Sequence, residues 1–174
     1  DMNNMFNGAT VFNKPLNWNV SNVTDMNNMF NGATAFDQDI SSWVVSAITD
    51  MSNMFNNATA FNQNLSGWDV SAVTDMNLMF NGATVFNHNI SGWDVSAVTN
   101  MDNMFEGATA FDQNIRTWVV DPNNMTDMFK DATAMQSRFT IISLGDTPEQ
   151  SFFGKTAITN DNKNAARDGS ITVD

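Results

Sequence analysis

The sequence has no cysteine and no tyrosine, three prolines, one histidine, and seven cationic residues against nineteen acidic ones. Each shortage excludes something. Without Cys there is neither a disulfide framework nor a thiolate nucleophile, although that absence fixes no compartment. From Pro15 to Ile115 there is no Lys or Arg, and the chain carries a net charge of −12. A nucleic-acid binder needs cations to neutralise phosphate, so no nucleic acid is expected as a partner of this stretch. The same field opposes docking on anionic membranes and favours cations and basic partners. No run of about 20 apolar residues is present to span a bilayer, so membrane insertion is not expected. No signal peptide is visible either. The chain opens on Asp1-Met2-Asn3-Asn4-Met5-Phe6, the middle of a repeat, and so reads as a fragment or processed chain whose upstream repeats and any export signal are missing.

What is abundant is unusual. Among 174 residues there are thirteen Met, fourteen Phe and five Trp, with Asn, Ser and Thr supplying most of the polarity. These residues recur. Tryptophan stands at Trp18, Trp43, Trp68, Trp93 and Trp118, each step being 25 residues. The Met-x-x-Met-Phe block places Phe6, Phe30, Phe55, Phe80, Phe105 and Phe129 at steps of 24 or 25. Both short steps fall beside proline, at Pro15 and Pro122, where a turn absorbs a deletion. A repeat of this length dictates a stacked architecture, because one unit cannot bury its apolar stripe alone.

Two periodicities alternate within a unit. Leu65, Trp68 and Val70 follow L-x-x-L-x-L, with Trp68 and Val70 two apart as on one face of a strand. Met76, Met79, Phe80 and Ala83 run i, i+3, i+4, i+7, one face of a short helix, and Thr74-Asp75 stand where an N-cap would. These patterns predict an α/β fold. It is a right-handed solenoid resembling leucine-rich repeats, with a short parallel β-sheet on one side, short helices on the other, and a C-terminal cap. The solenoid is expected over residues 1–134 in about six units, the first incomplete, and the cap or the start of a following β segment over 135–174. Within that cap, Ala157–Thr159 and Ser170–Val173 read as short strands around a polar turn.

The segment Trp68-Asp-Val70-Ser-Ala-Val73-Thr-Asp-Met76-Asn-Leu-Met79-Phe80-Asn-Gly-Ala83 resembles the repeats of BspA-like leucine-rich-repeat surface proteins. The resemblance covers roughly residues 1–134. It implies a secreted or surface-attached protein, often called an adhesin, with a parallel sheet along one side. It implies no shared catalytic residues. The final unit departs from the pattern, with Met135 in place of Phe and Asp121-Pro122-Asn123 in place of Val-Ser-x.

Most recurrent residues are explained by packing. The sole histidine, His88, shares a column with Lys14, Gln38, Gln63 and Gln113, and reads as a variable surface position without a second His, Cys or nearby Lys to act with it. Enzyme function is therefore not expected. Thr24, Thr49, Thr74 and Thr99, beside Asp25, Asp50, Asp75 and Asn100, read as capping residues. A row of stacked carboxylates is also an arrangement that suits Ca²⁺, and Asp37 with Asp39 form a further weak candidate pair. Asn13, Asp37, Asn62, Asn87 and Asp112, with Asn64, Asn89 and Asn114, form amide and acid columns expected to bond along the stack and to loop backbone. The informative columns flank each Trp: Asn17, Ser42, Gly67, Gly92, Thr117 on one side and Asn19, Val44, Asp69, Asp94, Val119 on the other. They vary while the inward Trp and Val stay constant, as a recognition surface or unselected drift would. From them the expected ligand-binding residues are Asn17, Asn19, Ser42, Val44, Asp69, Asp94, Thr117 and Val119. The expected partner is an extracellular protein or glycan, bound at the cell surface by an adhesin-like module. The alternative is a structural spacer or filament repeat of a larger surface protein.

Overall fold

The computed structural model describes residues 1–120, 124–139 and 146–154. Within each 25-residue unit the backbone runs as a chain of β-turns. In the unit beginning at Leu65, an N–H to C=O bond back three residues closes Leu65–Trp68 (3.0 Å), Val70–Val73 (2.9 Å), Met76–Met79 (3.2 Å), Leu78–Asn81 (3.1 Å), Phe80–Ala83 (3.1 Å) and Ala83–Phe86 (3.2 Å). Turns of three residues bring every third side chain or so to the same side. Leu65, Trp68, Val70, Val73, Met76, Met79, Phe80, Ala83 and Phe86 are accordingly all buried.

This corrects the expected fold class. The chain is not an α/β leucine-rich-repeat-like solenoid with a parallel sheet and helices. Among the described residues the α-helix is a six-residue one, α1 (Thr133–Arg138), beside a 3₁₀ turn at Gln150–Phe152. Strand pairing among the described residues is confined to three isolated parallel bridges, Asp25–Asp50, Asp50–Asp75 and Asp75–Asn100. The segment expected to be helical cannot be one, because two residues per unit have positive φ. Asn28, Asn53, Leu78 and Asn103 lie at 55–57°, and four residues later Gly32, Asn57, Gly82 and Gly107 lie at 56–69°. A positive φ at the third residue of a turn reverses the peptide and suits Gly or Asn. Alternate N–H groups are thereby turned out of the coil toward the next one. Met26, Asn28, Phe30 and Gly32 donate to the carbonyls of Asp50, Ser52, Met54 and Asn56 at 2.7–3.0 Å. The same ladder repeats from 51–57 to 75–81 and from 76–82 to 100–106.

The expected strand, by contrast, carries no run of backbone bonds between units. Its place in the stack is held by indole. Trp43, Trp68, Trp93 and Trp118 each donate Nε1–H to a carbonyl of the preceding unit, respectively Leu16, Ile40, Leu65 and Ile90, at 3.0–3.3 Å. Burial alternates along Trp68-Asp69-Val70 as the period of two implied, but the alternation comes from linked turns rather than from a sheet.

Stacking aligns like residues into columns. Phe30, Phe55, Phe80 and Phe105 lie with ring centroids 5.6–5.7 Å apart, and Phe36, Phe61, Phe86 and Phe111 at 5.9–6.1 Å. The two columns touch within each unit at 3.9–4.2 Å. Met26, Met29 and their equivalents fill the space beside the rings, as flexible thioethers do. Burying one such ring contributes roughly 1.5–3 kcal/mol, and each well-placed aromatic pair about 0.5–1.5 kcal/mol more.

At the C-terminal side, residues 146–154 lie over the last unit. Phe129 N–H, which by position would donate to a following unit, donates instead to the Asp146 carbonyl at 2.7 Å. Asp127 N–H donates to Thr147 Oγ1 at 2.7 Å, and Gly154 N–H to the Trp118 carbonyl at 3.0 Å. Phe152 and Phe153 are buried there, Phe152 edge-on to Phe129 at 6.0 Å. Asp121-Pro122-Asn123 and the expected strands at 157–159 and 170–173 lie outside the described residues.

Candidate functional site

The turns that bury Trp and Val also turn their neighbours outward. Asn17, Asn19, Ser42, Val44, Asp69, Asp94 and Val119 are exposed, so the structure brings these expected ligand residues onto one face, one pair per unit. Thr117 is half-buried, its hydroxyl donating to the Ser91 carbonyl at 3.1 Å. Several of these groups also hold their own loops. Asp69 Oδ1 accepts from the Ser71 N–H at 3.1 Å and from its hydroxyl at 2.6 Å, and Asp94 is bonded to Ser96 in the same way. The serine hydroxyl, then the serine N–H, hold both carboxyls below the ordinary value of 3.8. The neighbouring charge of Asp94 works against this at Asp69. Asn19 accepts from Ser21 N–H at 3.1 Å.

Asn17, Trp18, Asn19, Val20, Ser42 and Val44 line an open recess of about 400 Å³ at the first unit. Trp18 is 39% exposed there, whereas the other four tryptophans are at most 4% exposed.

Asp37 and Asp39, the expected weak metal pair, each accept hydrogen bonds. Asp37 Oδ1 accepts from Asn62 N–H at 2.9 Å and from Gln63 Nε2 at 2.7 Å. Asp39 Oδ1 accepts from Ser41 N–H at 2.9 Å, and Ser41, through its hydroxyl first and its N–H second, lowers the Asp39 pKa. Among the described residues no three His, Asp or Glu side chains gather to hold a metal ion. Asp25, Asp50 and Asp75 each accept the N–H two residues on at 2.8–2.9 Å, capping a turn where a helix start was expected.

The amide columns bond along the stack. The backbone N–H of Asp37, Asn62, Asn87 and Asp112 donates to Oδ1 of Asn13, Asp37, Asn62 and Asn87 at 2.9–3.1 Å. His88 belongs to this system. It is half-buried, and its Nε2 lies 2.9 Å from the Asn62 carbonyl, where Gln113 Nε2 makes the equivalent bond to Asn87 O at 3.0 Å. The column of Gln around it was the sequence signal for that role.

The family described as "Mycoplasma protein of unknown function, DUF285" matches residues 1–70 and 41–142. The chain belongs to that family. The DUF285 matches cover the units described above and agree with a repeat protein; they carry no support for the finer resemblance to BspA-like leucine-rich repeats. No curated protein matches the chain. Among the described residues no helix is long and apolar enough to cross a membrane.

Sequence reasoning missed one network. Glu106 joins three units: Lys130 Nζ donates to its Oε1 at 2.7 Å, while Asn81 and Asn103 donate to its Oε2 at 2.9 and 3.0 Å. The bond from Lys130 leads in lowering the Glu106 pKa below its ordinary 4.5. Its signal was a lone Glu in a column otherwise of Asn, with Lys one unit later.

Proposed function

We propose that this chain is a non-catalytic interaction module of a secreted or surface-attached protein, an adhesin-like repeat array that binds a protein, glycan or surface polymer. The observation that carries this reading is the division of labour within each unit. Recurrent Trp, Val, Met, Phe, Thr and Asn are occupied in packing or in bonds between units. The positions flanking Trp mostly face solvent and differ between units, except that Gly67/Asp69 recurs as Gly92/Asp94, so discrimination belongs to Asn17/Asn19, Ser42/Val44, Asp69, Asp94 and Thr117/Val119. Small side chains make the face shallow, which suits broad, additive contact along the stack more than a single anchor pocket. The engagement of His88 in a bond between units fits a non-catalytic role. Binding of the immobilised chain to extracellular-matrix proteins and to surface polysaccharides should fall severalfold in the Asp69→Ala/Asp94→Ala variant. Unchanged binding to every ligand that the wild type captures would remove these residues from the site.

The near-identity of successive interfaces favours a second reading, a spacer. Excision of one whole unit, residues 66–90, separates the two. A spacer tolerates the loss with binding intact, whereas a recognition face that uses Asp69 does not. For calcium, a melting temperature that rises with millimolar calcium over chelator would support a cation role, and superimposable melts would reject it.

A further inference from the structure

Three units carry an Asn-Gly pair at the same place: Asn7-Gly8, Asn31-Gly32 and Asn81-Gly82. In such a pair the chain readily attacks itself, because glycine puts no side chain in the way. Once hydroxide removes its proton, the Gly backbone nitrogen adds to the Asn Cγ. A C–N bond forms, ammonia leaves, and a succinimide ring remains. Water then opens the ring at either carbonyl, giving aspartate or isoaspartate. The reaction consumes water, releases ammonia and needs no other reactant.

In the folded chain each of these glycines has its proton committed to the following unit. Gly8, Gly32 and Gly82 donate N–H to the carbonyls of Asn31, Asn56 and Glu106, each at 2.7 Å. The leaving amide is held as well. Asn7 and Asn31 donate Nδ2–H within their own units, to Oδ1 of Asn4 and Asn28 at 2.8 Å. Asn81 differs, because its Nδ2 donates across the interface to Glu106 Oε2 at 2.9 Å. Nucleophile and leaving group at Asn81 are thus both held by Glu106, one through its carbonyl and the other through its carboxylate. They come free together when the unit carrying Glu106 lifts away.

The product does not fit the interface it came from. Glu106 Oε2 also accepts from Asn103 Nδ2 at 3.0 Å, while Lys130 Nζ sits on Oε1 at 2.7 Å, with Asp127 3.9 Å away. An aspartate at 81 would set a second carboxylate against Oε2 where an amide had donated, and like charges in contact repel. Isoaspartate would also lengthen the main chain by one atom. Phe80 and Gly82 could then no longer both reach the carbonyls of Met104 and Glu106.

We infer that Asn81 is a hydrolytic modification site, sealed while the unit carrying Glu106 is stacked on its own and armed when that unit opens. Its conversion to a carboxylate keeps the interface from closing again.

The test ages the chain at mildly alkaline pH, in buffer and in urea. Peptide mass spectrometry follows the amide-to-acid mass gain at Asn31 and Asn81. Asn81 should convert more than about tenfold more slowly folded than unfolded, as its amide opens only with the neighbouring unit. Equal rates would overturn the seal. Phe105→Leu weakens the contact with Phe80, whose ring lies 5.6 Å away. In the folded variant Asn81 should convert faster while Asn31 changes little. Equal acceleration at both would mean opening of the whole chain and would overturn the role of the neighbour. Asn81→Asp reproduces the product. It should lower the melting temperature by several degrees in the wild-type background and by little in Glu106→Gln; an equal fall in both would overturn the charge conflict.

Discussion

Replacing Trp93 by Phe tests whether indole donors, rather than a strand ladder, join the units along this side. Trp93 is 4% exposed and its Nε1 donates to the Leu65 carbonyl at 3.0 Å. Phenylalanine keeps a ring facing Phe80 and Trp118 but has no donor. A buried carbonyl left without its partner costs about 1–3 kcal/mol. The smaller ring leaves a space of roughly 40 Å³, worth about 1 kcal/mol at ~24 cal/mol per Å³. The sum is about 2–4 kcal/mol, a large share of the ~5–15 kcal/mol typical of a folded domain. At roughly 2–4 °C per kcal/mol for a chain of this size, the melting temperature should fall by about 5–15 °C. Trp18→Phe is the control, because Trp18 is 39% exposed and its indole has no acceptor among the described residues. It should cost less than about 1 kcal/mol, since little packing and no bond is lost. Urea unfolding followed by far-UV circular dichroism measures both, with equal slopes required because repeat arrays lose cooperativity easily. Equal destabilisation by the two substitutions would refute the indole-ladder account.

Further outcomes follow from other positions. Leu78 holds φ 56° in a column otherwise occupied by Asn4, Asn28, Asn53, Asn103 and Asp127, so Leu78→Asn should stabilise by about 0.5–1 kcal/mol in the same titration. Gly107→Ala should cost about 1 kcal/mol for its positive φ. Gly82→Ala should cost more, because its new Cβ would lie 2.5 Å from Asn57 Oδ1, and Asn57→Gly should remove the excess. Glu106, depressed by Lys130, adds stability that is full above its ordinary value of 4.5 and is lost as pH falls through its lower folded value. The wild type should therefore lose more melting temperature than Glu106→Gln on acidification through that window, and high salt should shrink the difference.

The columns were legible because they are chemical repetitions: Trp, Val, Met, Phe and Ala at fixed positions face inward as the spacing said. The exposed pairs flanking Trp were legible for the same reason. The backbone was not. Met76, Met79, Phe80 and Ala83 satisfy the arithmetic of a helix, and consecutive three-residue turns satisfy it equally well. What separates the two is a recurring Asn or Gly four residues apart, whose positive φ forbids the helix. At Leu78 even that signal vanishes, since a leucine occupies the left-handed position. The Trp-x-Val alternation likewise could not reveal that an indole, not a backbone amide, would make the bond between units. His88 was hard to place because its role depends on Asn62, 26 residues away, rather than on a neighbour in sequence.

The alternation of donors along residues 76–83 has a consequence for amide hydrogen exchange. Met76, Leu78, Phe80 and Gly82 give their protons to the following unit, while Met79, Asn81 and Ala83 keep theirs within the coil. If the unit beginning near Asn100 opens, the first set is released to solvent although its own coil stays folded, and the second set is not. Odd and even amides of one short segment thus report on two different events: the integrity of their own turns and the presence of a neighbour. Read across all units, the amides equivalent to Met76, Leu78, Phe80 and Gly82 would give a map of which interfaces open first.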